Sequence, residues 1–236
     1  MHRRLEPDQL YLSVDGLILT VCGGRLTTLL SRRNHPPCEG MWALPGRLVA
    51  LTESAEEAAQ KLLAEMLPGV SAYSEQLFTF THPGRDPRGR VATIAYLILL
   101  PWEQLSPALS QPGVTLQPFA IGHTPGGMLL TGEDDQPLSP TDLAFDHGSI
   151  LQTGVNRLQG KISYTDVAFH LLQDMQAFSL SELQIVYEAV LNQSLDASNF
   201  RRGIFARYEA GGRLTQTAQA KKQSRGRPAA LYRFQP

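Results

Sequence analysis

The sequence predicts an α+β or α/β domain built on a mixed sheet, followed by a winged helix-turn-helix domain. Three observations predict it. Residues 10–101 alternate strand-like stretches with one strongly capped helix that follows a glycine turn. Residues 165–234 read as three short helices and then two strands joined by a basic loop. The charge divides in the same way. From Asn199 onward nine Lys/Arg face the single acid Glu209, a net +8, which leaves −9 on the rest of the chain.

The strands come first. LYLSVDGLILTV (10–21) mixes alternation with apolar runs, as a strand partly buried on both faces does. Gly23-Gly24 turns the chain into LTTLLS (26–31), which predicts a hairpin. Arg32 to Pro37 is a polar loop, and Leu48-Val49-Ala50 a short strand. Ser54 and Glu57 form a capping box for a helix over 54–67. Its residues Ala55, Ala58, Ala59, Leu62, Leu63, Met66 and Leu67 share one face, and Pro68-Gly69 stops it. Strands are expected at 77–81 and 91–101, joined by a loop (82–90) that carries Arg85, Arg88 and Arg90. Residues 103–128, rich in Pro, Gly and Ser, are expected to be loops with one or two short strands.

The second half follows. Ser139-Pro140-Thr141-Asp142 opens a bridging helix over 140–158. Its end sets the division into domains 1–158 and 159–236. Helices are expected at 165–172, after a capping box at Ser179–Glu182, and after the cap Asp196. Gly211-Gly212 ends the last one. Residues 214–217 and 230–234 complete the wing.

Composition excludes some classes. At 236 residues, 42% hydrophobic and 18% charged, the chain can bury a sizeable core. No apolar run of about 18 residues exists to span a bilayer. MHRRLEPDQ has no apolar leader region, and two isolated cysteines, Cys22 and Cys38, suit a reducing, cytoplasmic setting. The basic end on an acidic body points to a polyanionic partner for that end alone.

The last helix specifies that partner. On a wheel of about 100° per residue, Phe200, Ile204 and Tyr208 centre the buried face. Ser198, Asn199, Arg202 and Ala206 then point outward. Asn and Arg pair bidentately with adenine and guanine edges in double-stranded DNA. Arg201 and Arg207 lie on the flanks, where phosphate contacts or local ion pairs fall. The wing residues Lys221, Lys222, Arg225 and Arg227 either follow the DNA backbone, enter a narrow minor groove, or form only an exposed basic hairpin.

The stretch 42–70 carries the other chemistry. Trp42-Ala43-Leu44-Pro45-Gly46 and the helix after it resemble the Nudix hydrolases. In that box Arg47 stands in the glycine slot, Glu53 in the first glutamate slot and Lys61 in the arginine slot. Leu62, Leu63, Ala64, Glu65 and Met66 follow, so two of the three helix glutamates are missing. The resemblance implies diphosphate hydrolysis with Mg²⁺ held by clustered carboxylates, and Leu62 and Met66 offer no oxygen ligand. The expectation is therefore no catalytic residue and no metal, with Glu53 and Glu65 as the residual box. Guanidinium suits a diphosphate, so the loop arginines Arg85, Arg88 and Arg90 either contact one or belong to a solvent-exposed hairpin; Arg32 and Arg47 complete the set of effector-binding candidates. Trp42 is a candidate for stacking on a base, although a tryptophan before a buried turn is more often core.

Both halves in this order resemble one family, the Nudix-related transcriptional regulators of NAD metabolism (NrtR-like). The resemblance rests on the degraded box, the Pro83–Arg90 loop, Asn199-Phe200-Arg201-Arg202 and Gly226–Phe234. It implies a homodimeric repressor on a palindromic operator, with ADP-ribose or a related nucleotide sugar as effector and no cofactor required. The alternative is a divergent Nudix ADP-ribose pyrophosphatase with a nucleic-acid-binding domain.

Overall fold

A computed structural model describes residues 9–134, 136–209, 211–221 and 229–236, with the side chains of 219–221 left out. The chain opens with the long strand β1 (Tyr11–Cys22), which turns at Gly23-Gly24 into β2 (Arg25–Arg32). Both glycines have positive φ, which the tight hairpin requires. Two short strands follow, β3 (Trp42–Ala43) on β2 and β4 (Gly46–Leu48) on β1. The predicted strand at 48–50 thus begins earlier, at the Pro-Gly turn.

Helix α1 (Ala55–Met66) has the capping box that Ser54 and Glu57 predict, and buries Ala58, Ala59 and Leu62. Strand β5 (Tyr73–Phe80) starts before the expected Leu77, because residues 73–76 are polar and lie on a sheet edge. Strand β6 (Val91–Leu99) runs parallel to β1 and is buried along most of its length.

The expectation for 103–128 is corrected. It holds helix α2 (Trp102–Leu109), strand β7 (Leu116–Thr124) and, overlapping its end, β8 (Gly127–Thr131). Two prolines hid them. Pro107 lies inside the short α2. Pro118 faces Leu29 of β2, while pairing with β8 begins only at Ala120. There Pro118 sits on a locally unpaired edge, where its missing N–H is tolerated. With β9 (Pro137–Leu138) the main sheet runs β5-β6-β1-β2-β7-β8-β9.

The bridging helix is also corrected. Ser139 and Asp142 do form a capping box, but it closes a single 3-10 turn, Pro140–Asp142. Leu143 and Ala144 are then drawn into the core, with the Ala144 amide donating to Trp42 O at 2.8 Å. Only after Phe145, at φ 57°, does helix α3 (His147–Ile162) begin. It runs through residue 158 without a break. The helix expected at 165–172 is a shorter 3-10 segment, Val167–Leu171.

Helix α4 (Leu180–Leu191) carries the predicted Ser179–Glu182 box and ends on Asn192 in the left-handed region. Asp196 caps α5 (Ala197–Tyr208) by accepting from the Asn199 amide at 2.8 Å. Strands β10 (Leu214–Lys221) and β11 (Ala229–Phe234) form the wing. Backbone hydrogen bonds between Phe178 and Tyr232 tie it to the start of α4.

Two buried clusters hold the sheet. One lies under α1 and α2. The other spreads from the opposite face of the sheet across Ile150, Leu151, Val155, Leu158 and Ile162 of α3 to Leu183, Val190 and Tyr208. Hydrophobic packing is thus continuous from the sheet domain to the winged helix, with α3 as the shared wall.

Candidate effector cleft and DNA-binding face

A cleft of about 210 Å³ opens between β1, β4, the 82–90 loop and the segment before α3. Arg33, Arg47, Arg85 and Arg88 line it, with Asp15 and Asp86. The volume is below the ~300–1,000 Å³ usual for small-molecule pockets, so it fits the charged part of a ligand better than a whole nucleotide sugar.

Arg85 is the anchor of the wall. Its side chain is 4% exposed and lies between Asp146 (Nε 2.9 Å, Nη2 2.7 Å) and Asp15 (3.2 Å). Burial disfavours its charge, but the Asp146 hydrogen bonds and the Asp15 field outweigh that and raise its pKa. His147 is buried and accepts the Leu44 amide at Nδ1, 2.9 Å away. Its Nε2 faces Asp15 Oδ1 at 3.8 Å. Burial lowers its pKa, so the neutral ring is the folded form.

Arg88 is held by a two-toothed contact to Asp86, with Nη2 at 2.6 Å from the carboxylate. Its guanidinium stands 5.6 Å from the Phe145 ring centroid, and that of Arg33 stands 4.7 Å from it. Burial, then the field of Arg88, lowers the pKa of Arg33. Asp86 neutralises Arg88, so the uncompensated charge over that ring is that of Arg33, which donates to the carbonyls of Pro37 and His35. The cleft is therefore welded to the first turn of α3: Phe145, Asp146 and His147 are consecutive residues, and each contacts a cleft arginine or aspartate.

Of the six effector candidates, the cleft brings together Arg47, Arg85 and Arg88. Arg32 faces elsewhere and donates to Gly40 O at 2.9 Å. Arg90 donates to Thr81 O at 2.7 Å. Trp42 packs edge-on against Phe119, with ring centroids 4.8 Å apart. Residues that sequence reasoning missed are Arg33, Asp15, Phe145, Asp146 and His147. For Arg33, the residue after β2, carrying the strand's alternation one position past Arg32 offered a signal. For Phe145 no sequence signal exists, because its place depends on the chain leaving the helix register.

The box remnant lies beside the cleft. Glu53 accepts the Ala50 amide at 2.9 Å and Lys61 Nζ at 2.7 Å, with Arg47 Nη2 at 3.4 Å. The Lys61 hydrogen bond, then that from Ala50, holds its carboxyl below the usual range. Arg47 Nη1 reaches toward Glu65 at 3.9 Å. Leu62 is buried, and Met66 packs against the same cluster. Among the described residues no group of three or more His, Cys, Asp or Glu can hold a metal. The donor set does not fit the Mg²⁺ of a working box, since two carboxylates already neutralised by two cations leave little reason for a divalent ion to bind.

On α5, Ser198, Asn199 and Arg202 are exposed, and Arg202 donates to Asn199 Oδ1 at 2.8 Å. Ile204 and Tyr208 are buried, with Phe200 edge-on to Tyr187. Arg201 donates to the Tyr232 hydroxyl at 3.3 Å and lies over Phe205. Arg207 donates to Thr165 O at 2.7 Å and to Ser163 O, next to the last turn of α3. It satisfies carbonyls at and just beyond a helix end that have no helical partner. The wing position Lys221 ends β10, and Lys222, Arg225 and Arg227 lie outside the described residues.

One prediction follows from His147 and the half-buried His170, whose pKa burial also lowers. A histidine with a depressed folded pKa takes up protons on unfolding. Stability is therefore full above the ordinary value of 6.5 and falls as pH drops below it. Chemical denaturation between pH 7.5 and pH 5.5 (roughly one unit either side of that value) checks this. His147→Gln, which keeps an acceptor for Leu44, flattens the dependence to the His170 part.

A Nudix-like mixed-sheet domain with an arginine-lined cleft, joined through one helix to a winged helix with a polar outward face, is the class this chain defines. Residues 168–234 match the model of the NrtR DNA-binding winged helix domain. The chain is 34% identical over 225 residues to the ADPR responsive transcriptional repressor NtrR of Acinetobacter baylyi, covering 94% of this chain and 81% of that protein. The crystal structure of Shewanella oneidensis NrtR complexed with a 27mer DNA is similar at 29% identity and TM-score 0.74, over 95% of this chain and 93% of that one. An ADP-ribose pyrophosphatase of Methanocaldococcus jannaschii is 33% identical over 160 residues, 64% of this chain and 78% of that protein. The chain belongs to the NrtR family of winged-helix transcriptional regulators.

Proposed function

We propose that the chain is a transcriptional repressor of NAD metabolism genes that responds to ADP-ribose or a related nucleotide sugar. The winged helix binds double-stranded DNA, the cleft takes the ligand, and ligand binding releases DNA. The observation that carries this reading is the match to a repressor across both halves of the chain rather than one. It operates as a cytoplasmic homodimer on a palindromic operator, because a two-fold dimer presents two α5 helices to symmetric half-sites. We keep the division into a sensing part, 1–158, and a DNA-binding part, 159–236.

Helix α3 carries the signal. Its start is held to the cleft by Arg85–Asp146, and the chain at its end is held to α5 by Arg207. A ligand that draws Arg33 and Arg88 from Phe145 changes the seating of the helix start. It shifts the population only by its differential affinity for the two seatings.

The α5 face reads sequence through Asn199 and Arg202, with Ser198 beside them. Arg202→Ala is expected to cost about 1–3 kcal/mol on the preferred operator and little on unrelated DNA. Competition binding against scrambled DNA measures it, and undiminished preference would move the reading face elsewhere. Arg207 ties α5 to the end of α3, and Arg201, exposed on the flank beside Tyr232, is the candidate for a phosphate contact. The proposal as a whole is tested by mobility shift on the upstream DNA of its own gene: salt-sensitive, sequence-selective binding supports it, and its absence counts against it.

The identity to a pyrophosphatase favours a second reading, hydrolysis of ADP-ribose. Leu62 and Met66 stand where ligand carboxylates are needed. Release of AMP on incubation with Mg²⁺ and ADP-ribose would support that reading.

A further inference from the structure

We propose that Arg47 and Lys61 act as built-in cations in the place of the divalent metal of a working Nudix site. The remnant box then excludes Mg²⁺, and the cleft binds a diphosphate ester without metal. The inference rests on the effector reading above and goes further by assigning what neutralises the ligand and what happened to the metal.

The charges of the box remnant balance, the nearby Glu57 carboxylate being taken up by the Ser54 cap. Glu53 and Glu65 contribute two negative charges, and Arg47 and Lys61 supply two positive ones within 4 Å of them. A working box holds more carboxylates than fixed cations, and that excess is what draws a divalent ion. Here it is gone. The Glu53 carboxylate, 3% exposed, has its oxygens engaged by a backbone amide, an ammonium and a guanidinium. A metal would have to displace two of these and would gain only Glu65, more than half exposed, as a second ligand.

Arg47 is placed to take over the metal's other task, which is holding phosphate oxygens. It lines the cleft beside Arg85 and Arg88. Its Nη1 is buried and has no hydrogen-bond partner among the described residues, the Glu65 carboxylate standing 3.9 Å away. A buried donor without a partner carries a desolvation cost that an incoming anion relieves. Its contact with Glu53 is loose at 3.4 Å, so a phosphate can share the guanidinium without breaking a tight pair. The backbone supports this placement: Arg47 pairs with Val14 in the β1–β4 ladder, which fixes its Cα at the cleft rim. Arg85 and Arg88 differ in this respect, since they are already committed to aspartates, and Arg33 donates to the carbonyls of Pro37 and His35.

The test uses the full chain and two independent readouts. Free Mn²⁺ is titrated alone and followed by its electron paramagnetic signal. Separately, ADP-ribose is titrated calorimetrically with chelator or with Mg²⁺. The wild type is expected to retain no Mn²⁺ and to bind ADP-ribose with affinities that agree within about two-fold in the two buffers. Arg47→Gly is expected to weaken ADP-ribose binding roughly ten-fold or more in chelator, and Arg47→Lys to recover part of that loss. Circular dichroism melts verify that both variants fold, and Arg47→Lys keeps the comparison usable if the glycine variant does not. Mn²⁺ retention by the wild type, or ADP-ribose binding that vanishes with chelator, would overturn the inference and leave the effector reading intact. ADP-ribose binding absent in both buffers would overturn the effector reading and metal-free diphosphate binding with it, and the Mn²⁺ titration would still decide whether the box excludes metal.

Discussion

Arg85→Ala lowers stability by about 3–5 kcal/mol, the usual effect of removing one partner from a buried ionic contact. The side chain is 4% exposed and is the common partner of Asp15 and Asp146, which the substitution leaves facing each other across a cavity. For a chain of this size that corresponds to a fall in Tm on the order of 10 °C. The effect should exceed that of Arg88→Ala, because Arg88 is one-third exposed and pairs with one aspartate, Asp86, where Arg85 pairs with two. Differential scanning calorimetry of the two variants side by side measures the contrast. Equal, small shifts would mean that Arg85 is not the keystone of the cleft wall. The result also bears on how Arg85 acts. It was a candidate for direct effector contact, and its geometry makes it first a brace between β1 and the start of α3. A binding defect in Arg85→Ala would therefore be uninformative unless the variant is shown to be folded.

Two glycines of α3 are expected to respond to alanine with opposite signs. A Cβ on Gly148 would lie 2.1 Å from the Pro140 carbonyl oxygen and 2.7 Å from its carbon. Those are backbone atoms of a capped turn, so the helix start must move away from it. Helix propensity favours alanine by about 1 kcal/mol, and overpacking of this kind costs about 1–3 kcal/mol. Because the obstacle is backbone, the upper part of that range applies, and Gly148→Ala is net destabilising. A Cβ on Gly160 meets nothing within 4 Å among the described residues, so Gly160→Ala keeps the propensity gain of about 1 kcal/mol. Urea denaturation of both variants tests this, and a stabilised Gly148→Ala would show that the turn yields easily. Gly148 neighbours Asp146 and His147, so its alanine variant should also blunt the response of DNA binding to ligand. The Gly160 variant should leave that response unchanged.

The sequence was most legible where local chemistry decides structure. Ser54–Glu57, Ser179–Glu182 and Asp196 each announced a helix start, and each cap is formed. Gly23-Gly24 announced the first hairpin. Legibility failed where tertiary packing overrode local signals. Ser139–Asp142 formed its capping box and still did not open α3, because Leu143 and Ala144 are buried against the sheet. Pro107 and Pro118 disguised a helix and a strand. At the cleft, guanidinium chemistry pointed to the right loop, but not to which arginines face inward. Arg85 and Arg88 turn in, while Arg90 is tied to Thr81. The aspartates that hold Arg85 come from residues 15 and 146, too far apart in sequence for any pattern to connect. On α5 the helical wheel placed Asn199 and Arg202 outward, because a short helix packed on one side leaves little freedom. Arg207 escaped it, since its partners belong to the end of another helix.

The most direct test is operator binding titrated with ADP-ribose, using the full chain and the DNA upstream of its own gene at fixed ionic strength. Sequence-selective binding that weakens as ADP-ribose is added, with no AMP produced, is the result predicted for a cleft coupled through α3 to the α5 face. Selective binding that ignores ADP-ribose at saturating concentration would contradict it.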